Sequence, residues 1–233
     1  MKIFTVLFLI ILSFCSVKKN SHKKEILIFS FLGWQSQQCR NYYGASNNLF
    51  FSDEYLNKYT LQTPLNLSII GDSTMDISSR YSGWMSSSTV SFAVSGNTLC
   101  DMYEQNINLN KTYKNVLIAS NGGNDILRKI PNDIIIQTFK QLSENIRKTG
   151  SLTVIGIHPV RVDYANKQRE YINSQIKIIV ENIKGCYIDP SSLFTLDSDG
   201  RTVQEQMLDS IHYNQTKSFE IKNLVKNNCN IQI

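Results

Sequence analysis

From Leu65 onward the chain alternates between short apolar runs and longer stretches of helical period. The runs occupy residues 67–70, 90–94, 116–119, 152–157 and 186–188, and runs of this kind are what a buried parallel strand requires, since both of its faces are covered. Between the third and fourth runs, Ile135, Phe139, Leu142 and Ile146 recur in steps of four, three and four, which puts them on one face of a helix. Asn132 or Asp133 can cap its start and Gly150 can close its end. Between the fourth and fifth runs, Tyr164, Gln168, Ile172, Ile176, Ile179 and Ile183 follow a similar step, with Gly185 behind them. A last helix is predicted over residues 216–227, burying Phe219, Ile221, Leu224 and Val225. These stripes read as core, because amphipathic packing accounts for them. Strand and helix alternating in this way imply a parallel sheet with helices on both sides and right-handed crossovers. In such sheets ligands bind beyond the carboxyl ends of the strands.

Before Leu65 the pattern is different. Lys2 precedes an apolar run over residues 3–14, followed by small residues, the layout of a secretory signal. The run is too short to be a comfortable permanent membrane span. Leu12-Ser13-Phe14-Cys15 resembles a bacterial lipoprotein cleavage site, although Phe14 stands where a small residue is usual. Lipidation of Cys15, ordinary cleavage and an uncleaved anchor therefore all stay open. Residues 25–34 are apolar and read as a strand or short helix, while 35–64 are rich in Asn, Gln, Ser and aromatics without a clean period. The expected organisation is a signal over 1–16, an extension over 17–64 packed on the domain, and the main domain over 65–233. The expected location is outside the cytoplasm: periplasmic, membrane-anchored or extracellular.

At 233 residues, 42% apolar and 18% charged, the chain can bury one substantial core. The net charge of +5 comes from scattered Lys and Arg. Lys18, Lys19, Lys23 and Lys24 form the nearest thing to a cluster, beside the apolar N-terminus, where a membrane surface is the fitting partner. No basic face recurs, so nucleic acid is not expected. Apart from Cys15, the cysteines Cys39, Cys100, Cys186 and Cys229 permit two disulfides in three pairings. No Cys or His pair has metal spacing, and no metal or other cofactor is expected.

Four strand ends carry polar groups: Gly71-Asp72-Ser73, Ser95-Gly96-Asn97-Thr98, the stretch Ser120 to Asp125, and Asp209 to Asn214. Gly, Asp and Ser are also ordinary turn and N-cap residues, so Ser73 by itself is equally a residue that opens a helix. Histidine occurs three times, at His22, His158 and His212. His22 lies just behind the signal, and His158 precedes Pro159 at a strand end, where it can line a site or cap the strand. His212 has Asp209 three residues before it, a spacing that in a helical turn sets both side chains on one side. An Asp accepting from the Nδ1–H leaves Nε2 to take a proton from a hydroxyl. A serine needs such a base to attack an ester, and Ser73 is the serine best placed to use it. Donors for an oxyanion are then required. The backbone N–H groups of Ser73 and Gly96 and the Asn124 amide are the candidates.

In this order and spacing the four segments resemble the sequence blocks of the SGNH hydrolases, also called GDSL esterases and lipases. Ser73 matches the nucleophile of the first block, with Thr74-Met75 standing where the name-giving motif has Leu. Gly96 matches the glycine of the second, Asn124 the asparagine of the third, and Asp209-x-x-His212 the last. The resemblance implies a flavodoxin-like three-layer α/β/α sandwich with a five-stranded parallel sheet and metal-independent ester hydrolysis. It assigns nucleophile, base and orienting acid to Ser73, His212 and Asp209, and oxyanion donors to Ser73, Gly96 and Asn124. Expected substrates are small-molecule, lipid or glycan esters, in a lysophospholipase- or lipase-like role or as an O-acetylesterase on cell-envelope sugars. A binding protein on the same fold, with catalysis idle, is the competing class. Tyr42, Tyr43, Phe50, Phe51, Tyr81 and Trp84 read as core by default, and as acyl-groove or sugar-stacking residues otherwise.

Overall fold

The computed structural model describes residues 66–86, 88–108, 114–119, 121–148, 150–231 and 233. The expected signal with Cys15, the expected extension with Cys39, and Tyr42, Tyr43, Phe50 and Phe51 all lie outside the described residues.

Five strands, β1 (Leu67–Ile70), β2 (Thr89–Ser91), β3 (Asn115–Ala119), β4 (Ser151–Ile155) and β5 (Cys186–Ile188), form one sheet in the order β2-β1-β3-β4-β5. All four pairings are parallel, as the unbroken apolar runs demand. Helices α1 (Ser73–Tyr81), α2 (Leu99–Asn108), α3 (Gly123–Leu127), α4 (Asn132–Arg147), α5 (Asp163–Asn182) and α6 (Gln215–Asn228) connect and follow the strands. The pleat divides the strand residues between two cores. Ile70, Val116, Ile118, Leu152 and Val154 face one side, with buried residues of α2, α4 and α5. Leu67, Ile69, Leu117, Ala119 and Ile155 face the other, with Met75 of α1 and Ile221 and Val225 of α6. The result is the three-layer α/β/α sandwich that the alternation predicts.

Local details depart from the sequence pattern. Ile135, Phe139, Leu142 and Ile146 of α4 are fully buried, but the residue before the helix is Pro131 and no side chain caps it. In α5 Tyr164 is exposed. The buried face is instead Ala165, Asn166, Arg169, Ile172, Asn173, Ile176 and Val180. In α6 Ile221 and Val225 are buried while Phe219 is exposed. Trp84 is core, its indole N–H donating to Ser218 Oγ at 3.0 Å, but Tyr81 is two-thirds exposed at 66%. Strand β2 is also shorter than its apolar run, although Phe92 and Val94 still donate to Ile69 and Gly71 of the neighbouring segment.

A disulfide joins Cys186 of β5 to Cys229 behind α6 across 43 positions. In the loop-entropy picture a closure of that length destabilises the unfolded chain by about 4 kcal/mol. Cys100, fully buried in α2, is disulfide-bonded as well.

The strand order places β1 between β2 and β3, so the chain leaves β1 toward one side and later passes to the other. That reversal opens a crevice at the carboxyl end of β1, where open α/β sheets take their ligands. Gly71-Asp72-Ser73 sits there.

Candidate active site

Ser73 is the first residue of α1 and follows β1 after only two residues. The turn is tight for two reasons. A Cβ on Gly71 would stand 2.7 Å from Met75 Cβ and 3.3 Å from the Ala119 carbonyl oxygen, so only glycine lets β1 end against α1. Asp72 then caps the helix, its buried carboxylate accepting from Thr74 N–H at 2.9 Å.

His212 reaches this serine from the far end of the chain. Its Nε2 lies 2.7 Å from Ser73 Oγ. Its Nδ1 lies 2.7 Å from Asp209 Oδ2. A carboxylate only accepts, so the proton on this imidazole sits at Nδ1, and Nε2 accepts the serine proton. The expected helical turn over residues 209–212 is replaced by a bend. Asp209 Oδ1 closes it by accepting from the backbone N–H groups of Ile211 (2.7 Å) and His212 (2.8 Å), an Asx-type turn. Partial burial opposes ionisation of Asp209, but the bonds from the His212 ring and the two N–H groups outweigh it and hold the carboxyl below its usual range. The His212 side chain is 19% exposed and that of Asp209 55%.

The two remaining sequence candidates are drawn to the same rim. Asn97 N–H donates to the Val94 carbonyl at 3.1 Å, closing a four-residue turn whose third residue is Gly96. There φ is +82°, a value that demands glycine. Asn97 ties the turn to both neighbours. Its Nδ2 donates to the Gly71 carbonyl at 3.3 Å, and its own carbonyl accepts from Asn124 Nδ2 at 2.9 Å. One hydrogen of the Asn124 amide is thereby engaged, and the amide carries a second. Ser73, Gly96, Asn124, Asp209 and His212 thus converge at the carboxyl rim. Among the described residues, no group of three or more His, Cys, Asp and Glu could hold a metal ion.

Residues that sequence reasoning did not assign complete the surroundings. Asn97 is one, and its position inside the glycine turn was the available signal. His158 follows β4 and is fully buried. Burial pushes its pKa down to about 4, against the opposing effect of its bond to Ile211. Its ring packs against Tyr213 (centroids 4.7 Å apart) and Phe194 (5.6 Å). A cavity of about 20 Å³ adjoins the site, with Asn124, Leu127, Ile157, Val160 and Ile211 among its walls.

Comparison with solved structures decides the fold family. A GDSL-like lipase from Bacteroides thetaiotaomicron superposes with a TM-score of 0.66 at 12% identity, over 75% of this chain and 93% of its own. An acetylxylan esterase from Geobacillus stearothermophilus, in a catalytic-mutant form, gives 0.59 at 14% identity, over 72% and 95%. A member of the lipolytic G-D-S-L family from Veillonella parvula gives 0.56 at 16% identity, over 70% and 96%. The chain has the fold of the SGNH hydrolases. No family model and no curated protein matches the sequence. Within the SGNH-hydrolase fold, the four blocks legible in the sequence fall together on one rim of the sheet.

Proposed function

We propose that this chain is a serine hydrolase of carboxylic esters, with Ser73 as nucleophile, His212 as general base and acid, and Asp209 as the group that orients His212. One observation carries the reading: the hydrogen-bonded series Ser73–His212–Asp209, at 2.7 Å in both links. The similarity in fold to esterases and lipases supports it.

The steps follow from the protonation states. Ser73 Oγ attacks the ester carbonyl carbon as its proton passes to His212 Nε2. The carbonyl electron pair moves onto oxygen, and the N–H groups of Ser73 and Gly96 and the second Asn124 hydrogen stabilise that charge. Asp209 stabilises the imidazolium without taking its proton. Collapse breaks the ester C–O bond, and His212 returns the proton to the leaving alcohol. Water then attacks the acyl-serine, its proton passing to His212. The second collapse releases the acid and restores the Ser73 hydroxyl. The balance is ester plus water to acid plus alcohol.

The acetylxylan esterase among the similar folds makes an O-acetylesterase on envelope sugars the finer reading. Export rests on the N-terminal pattern alone, and a mass measurement on membrane-extracted protein distinguishes a diacylglyceryl-modified Cys15 from a cleaved or intact N-terminus. The deciding assay for the chemistry gives the purified chain p-nitrophenyl esters of rising acyl length beside a Ser73→Ala control. Activity in the native chain only, highest with acetate, is expected. Equal rates in both forms end the hydrolase reading.

A further inference from the structure

Asp209 and His212 belong to the same bend, so their mutual bonds orient the ring within that bend. They cannot fix the bend against Ser73, which rides on β1 and α1. A contact from the sheet itself is needed, and the connection after β4 supplies it. His158 Nε2 lies 2.7 Å from the carbonyl oxygen of Ile211, the residue before His212. A carbonyl only accepts, so Nε2 carries the proton and donates. Three residues on, Arg161 N–H donates to the Ser210 carbonyl at 2.9 Å.

The connection is itself held rigidly. Asn173 of α5 pairs with both backbone groups of Ile157, accepting from its N–H at 2.9 Å and donating to its carbonyl at 2.8 Å. One helical face and two turns earlier, Asn166 does the same for Val160, at 2.8 and 2.7 Å. Thr202 Oγ donates to the Pro159 carbonyl at 2.8 Å. His158 therefore projects from a backbone fixed on both sides. On the other flank of His212, the Tyr213 ring meets the His158 edge, and its hydroxyl accepts from Ser78 of α1 at 3.2 Å. The charged and titratable groups that act on the His158 ring are His212, Arg169 and Asp209. At neutral pH the ring is uncharged, with one N–H to give.

We propose that His158 is a positioning residue for His212: its Nε2–H holds the Ile211 carbonyl against the sheet and so aims the His212 ring at Ser73 Oγ. This rests on the roles proposed for Ser73 and His212 above. The His158 ring is buried and the bond part-buried; losing the donor takes the Ile211 carbonyl's partner away, and a small misplacement of a reacting group lowers rates by about 100-fold.

Two amides test the reach of the bond. His158→Gln sets an N–H where Nε2 stands, and His158→Asn sets one where Nδ1 stands, short of the Ile211 oxygen. In the full chain with p-nitrophenyl acetate, the Gln form is expected to keep kcat within about threefold of native. The Asn form should lose on the order of 10- to 100-fold in kcat with KM nearly unchanged. Crystal structures should keep the Ser73–His212 bond in the Gln form and show it broken in the Asn form. Equal kcat in the two amides, a loss confined to KM, or an intact Ser73–His212 bond in the Asn form overturns the proposal. Should the Asn form not fold, the Gln form still decides: native thermal stability with kcat below a tenth of native overturns it. The crystallographic readout needs no substrate. A native chain that cleaves no ester sinks the hydrolase reading, and a bond unchanged in the Asn form sinks this one.

Discussion

Ser73 Oγ and His212 Nε2 lie 2.7 Å apart although 139 positions separate them in the chain. Nothing in the local pattern around either position points to the other. Ser73 opens a helix, as many serines do, and His212 ends a bend in a stretch with little regular structure. What joins them is the sheet: β1 delivers one to its carboxyl rim, and the segment between β5 and α6 returns the other to the same rim.

In the proposed mechanism, replacing Asp209 by Asn removes the charge that fixes the Nδ1–H tautomer and stabilises the imidazolium. A fall in kcat of about 10²- to 10⁴-fold is expected, with KM little changed. Steady-state kinetics on p-nitrophenyl acetate measure it. A variant within a factor of two of native would remove Asp209 from the mechanism.

Asn124→Ala deletes the donor proposed for the developing oxyanion and takes from the Asn97 carbonyl its bond to the Asn124 amide. The expected loss is about 10²- to 10³-fold in kcat. The native thermal midpoint should be largely retained, since Asn124 is only half-buried. Calorimetry beside the kinetics separates a lost donor from a damaged fold.

Gly71→Ala drives a methyl into Met75 and the Ala119 carbonyl. Overpacking of this kind costs about 1–3 kcal/mol, and relief by moving α1 shifts Ser73 as well. Urea unfolding should show lower stability, and kcat should fall with it. Native stability together with native kcat would mean that the turn has room it is not shown to have.

Stability should fall as pH drops from neutrality toward 4. The unfolded His158 has the ordinary value of 6.5 and the folded one about 4. Between those values the unfolded state binds the extra proton, so stability rises with pH across the window and is fully present above 6.5. The contribution is on the order of 3 kcal/mol. Urea unfolding at pH 7 and pH 4.5 should show a larger loss for the native chain than for His158→Gln, which has no ring to protonate. Equal losses would place the acid sensitivity elsewhere.

Much of the architecture was legible because parallel strands are covered on both faces and read as apolar runs. All five runs became strands, β1 and β5 with the predicted limits. The four core positions of α4 were equally plain, since one face of that helix meets only core. Helix α5 was harder. Its buried face holds Asn166, Arg169 and Asn173, whose polarity marks them for solvent. They are buried because the two asparagines satisfy the backbone of the loop after β4, and the polar side chain there substitutes for a missing strand neighbour. Phe219 and Tyr81 fit apolar expectations yet face solvent, because burial depends on what packs opposite and not on residue type alone.

The sequence by itself determined the succession of elements, the parallel sheet and the residue types able to attack, relay a proton and hold an oxyanion. Those follow from local periodicity and from the intrinsic chemistry of side chains. Only the tertiary structure decided that Ser73 and His212 meet, that Asp209 acts through an Asx bend in place of a helical turn, and that His158 grips the bend. The first and last are contacts between segments distant in the chain, and the Asx bend is a local turn whose form the Asp-x-x-His spacing leaves open. Such contacts are set by the strand order and by the satisfaction of buried polar groups, neither of which leaves a periodic trace along the sequence.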